Sequence, residues 1–196
     1  MNLALFDFDG TISNDDSFRG FIIYYCGYPK FILGSIILSP IYLFYSLGII
    51  KNNFMKETVI SFYFKNEKTS DLWNKGKQYS DNEIDKIVRD KAREKIKWHQ
   101  TQGDRVVVVS ASVNIWLDSW CSRNGIELIA TELEEMDGKI TGKLVNGNCF
   151  GIEKSIRVER VINVNDYEEI YAYGDSRGDL ELLNFSDKPF YKPFRD

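Results

Sequence analysis

Two aspartates stand two residues apart where a short apolar run gives out. Leu3 to Asp7 reads LALFD, and Phe8-Asp9-Gly10-Thr11 follows. Strand side chains alternate in direction, so residues two apart return to one side, and Gly10 permits a tight turn just beyond. Asp7 and Asp9 are therefore expected to converge. Three further features end predicted elements: Ser110 in VSAS, Lys154 in GIEKS, and Gly174-Asp175-Ser176-Arg177-Gly178-Asp179 after IYAY. Carboxylates aimed at one place repel each other and hold their protons more tightly unless a cation joins them. Asp7, Asp9 and Asp175 offer the hard oxygen donors that Mg²⁺ takes together with waters and a phosphate. Ser110 adds a hydroxyl and Lys154 a point charge, both suited to a phosphate dianion. Metal, phosphate donors and a carboxylate nucleophile together make a phosphoryl-transfer site.

Strands alternating with helices must position these groups. LALFD reads as a buried strand entering a loop, and Arg105 to Ser110 (RVVVVS) as a parallel strand buried on both faces. Ile126–Ala130 and residues 169–173 are further strands, and Asp137-Gly138 marks a hairpin between Glu132–Glu135 and Ile140–Leu144. Helices are expected over 113–124, 153–162 and 178–184. This pattern predicts an α/β parallel sheet with its site at the carboxyl ends of the strands.

Residues 14–98 break the alternation and read as all helical, an insert after the first strand. Asp15 or Asp16 caps a helix that runs to Cys26 and ends at Gly27 and Pro29. A lysine-rich helical region spans Lys51 to Lys77. Ser80 to Glu83 (SDNE) reads as a capping box opening a helix whose apolar face carries Ile84, Ile87, Val88, Ala92 and Ile96.

Composition removes other chemistries. The chain has 196 residues and a net charge of −4, which argues against a nucleic-acid partner. His99 is the single histidine, so two-histidine mechanisms and histidine zinc sites are excluded; at the end of an amphipathic helix it reads as structural. Cys26, Cys121 and Cys149 lack C-x-x-C spacing, which fits a reducing cytoplasm.

DFDGT, VSAS, Lys154 and YGDSRGD resemble, in order, the four motifs of the haloacid dehalogenase superfamily of phosphatases. The helical insert resembles the cap of its phosphoserine-phosphatase-like branch. The resemblance implies a Rossmannoid parallel sheet flanked by helices, with a core of residues 1–13 and 99–196 and a helical cap of 14–98. It implies an Mg²⁺-dependent phosphatase that acts on a phosphomonoester through an aspartyl phosphate. Asp7 would be the nucleophile, Asp9 the general acid and base, and Ser110, Ala111 and Lys154 the phosphate-binding groups. Asp7, Asp9 and Asp175 would hold Mg²⁺, with Asp179 as a ligand or close behind. Arg177 could reach substrate or stay on the surface.

Two motifs depart from phosphoserine phosphatases, which usually carry Ser-Gly-Gly where this chain has Ser110-Ala111-Ser112, and Asn-Asp where it has Arg177-Gly178-Asp179. Asp15, Asp16 and Arg19 match their acid-and-arginine substrate contacts loosely. Residues 31–50 contain no charge, and from Lys51 to Lys77 six lysines face three acids. A single membrane crossing is excluded, because Asp7 and Ser110 flank the segment and must meet on one side. Pro40 predicts a hairpin of two short helices that meets one leaflet, the cap's own core or a second chain. This apolar segment and NCFGIEK resemble the C-type bacterial phosphatidylglycerophosphatases, which implies a lipid phosphate as substrate and a cytoplasmic protein touching the inner membrane face. A small-metabolite phosphatase and a non-catalytic membrane-docking protein are the alternatives; the sequence leaves the oligomeric state open.

Overall fold

The computed structural model describes residues 1–195. Six strands form one sheet in the order β4-β3-β2-β1-β5-β6. They are β1 (Leu3–Phe6), β2 (Arg105–Val113), β3 (Glu127–Met136), β4 (Lys139–Val145), β5 (Ile170–Gly174) and β6 (Lys188–Tyr191). Neighbours run parallel except β3 and β4, which form the expected hairpin. Its turn places Asp137 at φ 53° and Gly138 at φ 72°, the left-handed pair that a two-residue hairpin turn demands.

Alternation along the strands divides the core between two faces. Ala4, Phe6, Val106 and Val108 join one apolar cluster, while Leu3, Leu5, Val107 and Val109 join the other. Helices α6 (Asn114–Arg123), α7 (Ile152–Val161) and α8 (Leu180–Phe185) connect the strands. The first sheet face also receives α5 (Asp90–Thr101), which buries Ala92, Ile96 and His99. His99 Nδ1 lies 2.8 Å from Asp104 Oδ2 and Nε2 lies 2.9 Å from the Tyr173 hydroxyl. Its role is structural: with an ionised Asp104 accepting at Nδ1, the neutral ring accepts from Tyr173.

The cap comprises α1 (Ser17–Ser46), α2 (Asn52–Phe64), α3 (Thr69–Tyr79) and the short α4 (Asp85–Ile87). Asp16 caps α1 by accepting from Arg19 N–H at 2.8 Å. Gly27 breaks α1 at φ 77°, ψ 161°, so two helical halves meet there. The hairpin expected at Pro40 is corrected: the second half runs on through Pro40 to Ser46. Its inner residues Phe31, Leu38 and Ile41 belong to or pack on the core cluster, and that burial offsets the missing backbone donor. Gly34 allows the close approach, because a Cβ there would meet the Tyr63 hydroxyl on α2. The reversal comes later, over residues 47–51, and the hairpin is α1 against α2.

Two other expectations are corrected. SDNE does not open a helix, because α3 continues through it: Ser80 has helical φ/ψ and its buried hydroxyl finds no partner. The helix expected to carry both Ile84 and Ile96 is split at Val88, which turns extended and bridges Ser13. Asn14 N–H donates to Ile87 O and Arg89 N–H to Ile12 O, each at 2.8 Å. The chain thus leaves the sheet layer and rejoins it at a single two-stranded crossing. The boundary expected at 98/99 falls inside the continuous helix α5, which packs on the sheet.

Candidate active site

The residues singled out in sequence gather at the carboxyl end of the sheet. Parallel pairing sets Phe6 beside Val108 and beside Tyr173, so the chain segments after β1, β2 and β5 emerge together. Asp7 N–H still donates to Tyr173 O at 2.9 Å. The chain then turns over Phe8–Ile12, closed by Ser13 N–H donating to Phe8 O. Gly10 holds φ 83°, and a Cβ there would lie 2.6 Å from Asp175 Oδ2, so conformation and space both require glycine.

A cleft of about 240 Å³ opens here. Its lining includes Asp7, Asp9, Ser110, Ala111, Lys154 and Asp179 from the sheet layer, and Asp16, Phe18 and Lys56 from the cap. Lys154, on the first turn of α7, is 1% exposed and donates to Asp7 Oδ1 and Asp179 Oδ1, both at 2.6 Å. Asp179 also accepts from Ser176 N–H and Ser176 Oγ through its second oxygen. Ser110 Oγ accepts from Ser112 N–H at 3.0 Å.

Carboxylate oxygens of Asp7, Asp175 and Asp179 all lie within 4.8 Å of one another. Three hard oxygen donors crowded at a cleft fit a small divalent cation, which would relieve their mutual repulsion. The Asp9 carboxylate lies outside that cluster. It accepts from Ser17 N–H at 2.7 Å and from the Ser112 hydroxyl, tying the cap's first helix to the end of β2. Asp175 also meets the Arg195 guanidinium.

Burial dominates the electrostatics. It pushes Asp7 up to about 7, against the pull of Lys154, with Asp179 and Asp9 adding to the rise. It pushes Asp9 up to about 6, helped by the nearby charge of Asp16. Asp179 is held below the usual carboxylate range: Lys154 and Ser176 outweigh its burial.

Lys56 is the residue that sequence reasoning missed. It was one of six lysines in a helical stretch, with nothing in its type or spacing to set it apart. The fold of α2 turns it inward, with Nζ 3.5 Å from the Phe18 ring centroid. It makes no ion pair among the described residues, and burial lowers its pKa to about 8 despite Asp16 and Asp9. Arg177, by contrast, is exposed and pairs with Glu181 at 2.7 Å. Arg19 pairs with Asp15 on the surface, outside this cleft.

The arrangement is that of a carboxylate-based hydrolase whose parallel-sheet site is roofed by an inserted cap. The family model for haloacid dehalogenase-like hydrolases matches residues 4–184, and the chain belongs to that family. Protein CicA of Caulobacter vibrioides is 29% identical over 195 residues, spanning 98% of this chain and 86% of that protein. Histidinol-phosphatase of Neisseria meningitidis serogroup C is 26% identical over 207 residues, spanning 96% of this chain and 88% of that protein. A solved structure described as a phospho-aspartyl intermediate analogue of phosphoserine phosphatase has a TM-score of 0.64 at 18% identity, covering 97% of this chain and 84% of that one. The chain is an enzyme, a hydrolase of the phosphoric monoester class.

Proposed function

We propose that the enzyme hydrolyses a phosphomonoester through an aspartyl phosphate on Asp7, with Mg²⁺ as cofactor. The observation that carries this is the division of labour between two aspartates of one turn. Asp7 is held by a buried lysine among carboxylates, and Asp9 lines the same cleft apart from them.

In the first half-reaction an Asp7 carboxylate oxygen attacks phosphorus and the ester P–O bond breaks. Asp9 gives its proton to the departing alkoxide; burial, which raises its pKa to about 6, favours carrying that proton near neutrality. In the second half, Asp9 takes a proton from water. The hydroxide attacks phosphorus, releases inorganic phosphate and restores the Asp7 carboxylate. Ser110, Ala111 and Lys154 hold the phosphoryl oxygens, and Lys56 adds positive charge from the cap. Asp7, Asp175 and Asp179 would hold Mg²⁺, which neutralises charge on the phosphoryl oxygens. The Asp9 carboxylate, turned toward Ser17 and Ser112, is left to proton transfer.

The favoured substrate is a lipid phosphate such as phosphatidylglycerophosphate, met at the cytoplasmic membrane face through residues 31–50. What supports this is the apolar, charge-free cap segment. The second reading, a small metabolite phosphate, draws on the histidinol-phosphatase relative and the phosphoserine phosphatase fold.

Phosphate release from phosphatidylglycerophosphate in mixed micelles, from phosphoserine and from p-nitrophenyl phosphate tests both levels. The native protein should act only with Mg²⁺ and stop in EDTA, and Asp7→Asn should be inactive yet folded. Mg²⁺-dependent turnover by Asp7→Asn would falsify the nucleophile assignment. Phosphoserine turnover equal to that of the lipid would sink the lipid reading.

A further inference from the structure

The second half of α1 is apolar nearly all round, yet it is mostly uncovered. Helices of that composition are normally enclosed by protein or lipid. Here only the face carrying Phe31, Gly34, Leu38, Ile41 and Tyr45 is turned inward. Ile32, Leu33, Ile36, Ile37, Leu43 and Phe44 point outward with exposures between 48% and 65%. Of the twenty-one exposed large apolar side chains among the described residues, eleven fall between Tyr28 and Phe54. Such a concentration marks an interaction surface rather than ordinary surface scatter.

The serine hydroxyls of this stretch are already satisfied within the helix. The hydroxyls of Ser35, Ser39 and Ser46 donate to Phe31 O, Ile36 O and Leu43 O at 2.8 to 2.9 Å. A hydroxyl bonded to its own helix can enter hydrocarbon without losing a partner. No acidic side chain lies between Ser17 and Lys56; of the four basic ones, Arg19 pairs with Asp15 and Lys56 faces the cleft, which leaves Lys30 and Lys51 to charge this surface. Lys30 and Lys51 are exposed and stand at the two ends of the apolar stretch.

α2 settles the orientation, because it is fixed to the sheet layer. Asn53 Oδ1 accepts from Asn148 N–H at 2.9 Å, Ser61 donates to Gly142 O at 3.1 Å, and Glu57 pairs with Lys143 at 3.1 Å. The inner face of α1 is committed to α2, so the helix cannot stand upright in a bilayer. Residues 28–46 would extend about 28 Å along the surface.

We propose that this outer face lies flat in one leaflet of an anionic bilayer, with Lys30 and Lys51 at the headgroups of its two ends; the proposal deepens the lipid-phosphate reading by naming the surface on which that substrate is met. A second copy is disfavoured as occupant, since two such faces packed antiparallel would set Lys30 of one against Lys51 of the other.

Flotation of the full-length protein with vesicles tests it. The native chain should float with phosphatidylcholine–phosphatidylglycerol vesicles and much less with phosphatidylcholine alone. Ile36→Glu at mid-helix and Leu47→Glu at its end should each weaken vesicle binding at least ~tenfold. Both should keep native turnover of p-nitrophenyl phosphate, which also reports that they fold. Lys30→Glu with Lys51→Glu should remove the preference for anionic vesicles. Loss confined to Leu47→Glu would overturn the flat geometry, and equal binding to neutral vesicles would overturn the anionic preference. A native dimer that does not float, and that Ile36→Glu turns into a monomer, would replace the bilayer with a second copy. Flotation without lipid-phosphate turnover would leave the docking standing and remove the substrate reading; turnover in micelles without flotation would do the reverse.

Discussion

Lys154→Met offers the sharpest test of how the site is held together. The ammonium is almost wholly enclosed, and it joins Asp7 and Asp179, each 2.6 Å away and themselves nearly inaccessible. Methionine keeps the length of the side chain and removes its charge, so two buried carboxylates face each other with no counter-ion. Removing one partner from a buried ionic cluster costs about 3–5 kcal/mol. For a domain of this size each kcal/mol lowers the melting temperature by roughly 2–4 °C, which gives a fall of about 6–20 °C. Arg177→Ala is the control: its exposed pair with Glu181 should be worth less than about 1 kcal/mol. Thermal melts in EDTA and in Mg²⁺ would read the effect. The loss should be larger in EDTA, since a cation among the three carboxylates takes over part of the lysine's work. Adding Asp179→Asn to Lys154→Met should recover stability, because it removes one of the stranded charges. A melting temperature unchanged by Lys154→Met in EDTA would refute the electrostatic account, whatever happened to activity.

Burial holds the pKa of His99 below its ordinary 6.5. The unfolded ring therefore gains its proton first as pH falls, so stability from this group is full above 6.5 and declines below it. Melts from about pH 8 downward should show that decline, and His99→Gln should flatten it; an identical slope in both proteins would refute the assignment. Lys56→Met should raise KM about tenfold or more with a smaller change in kcat, as expected if the ammonium faces bound phosphate. Unchanged steady-state kinetics would remove Lys56 from the site.

The catalytic layer was legible because its signals are local. LALFD, RVVVVS and IYAY are short runs that only a buried parallel sheet accommodates, and the chemistry-bearing residues sit immediately after them. Gly27, Asp16 and Asp137-Gly138 likewise announce a break, a cap and a turn through their own conformational preferences. The cap was harder. Its helices are chosen by what they pack on, so SDNE looked like a start although α3 was already helical through Ser80. Pro40 looked like a hairpin because its cost is visible in sequence, whereas the apolar seat that offsets it is not. Val88 carried the right periodicity for a continuous helix, but its bridge to Ser13 competes and prevails. Lys56 shows the same limit at the site, since which lysine faces inward depends on how α2 lies over the cleft. Edge strand β6 was also missed; four residues with a proline make a weak strand signal, and pairing with β5 creates it.

The β3–β4 hairpin does more than extend the sheet. Its tip bonds backbone to backbone with the connection between α2 and α3: Asn66 N–H to Ile140 O, Ile140 N–H to Glu67 O and Thr69 N–H to Gly138 O, at 2.8 to 3.0 Å. The roof over the cleft is thereby fastened at a second point, remote from the crossing at Ser13 and Val88. Swinging it open as a rigid lid would rupture these bonds together with those of Asn53, Glu57 and Ser61, at about 1 kcal/mol apiece. A wide-open lid is therefore a costly, sparsely populated state, and side-chain movement at the mouth of the cleft is the cheaper route for traffic.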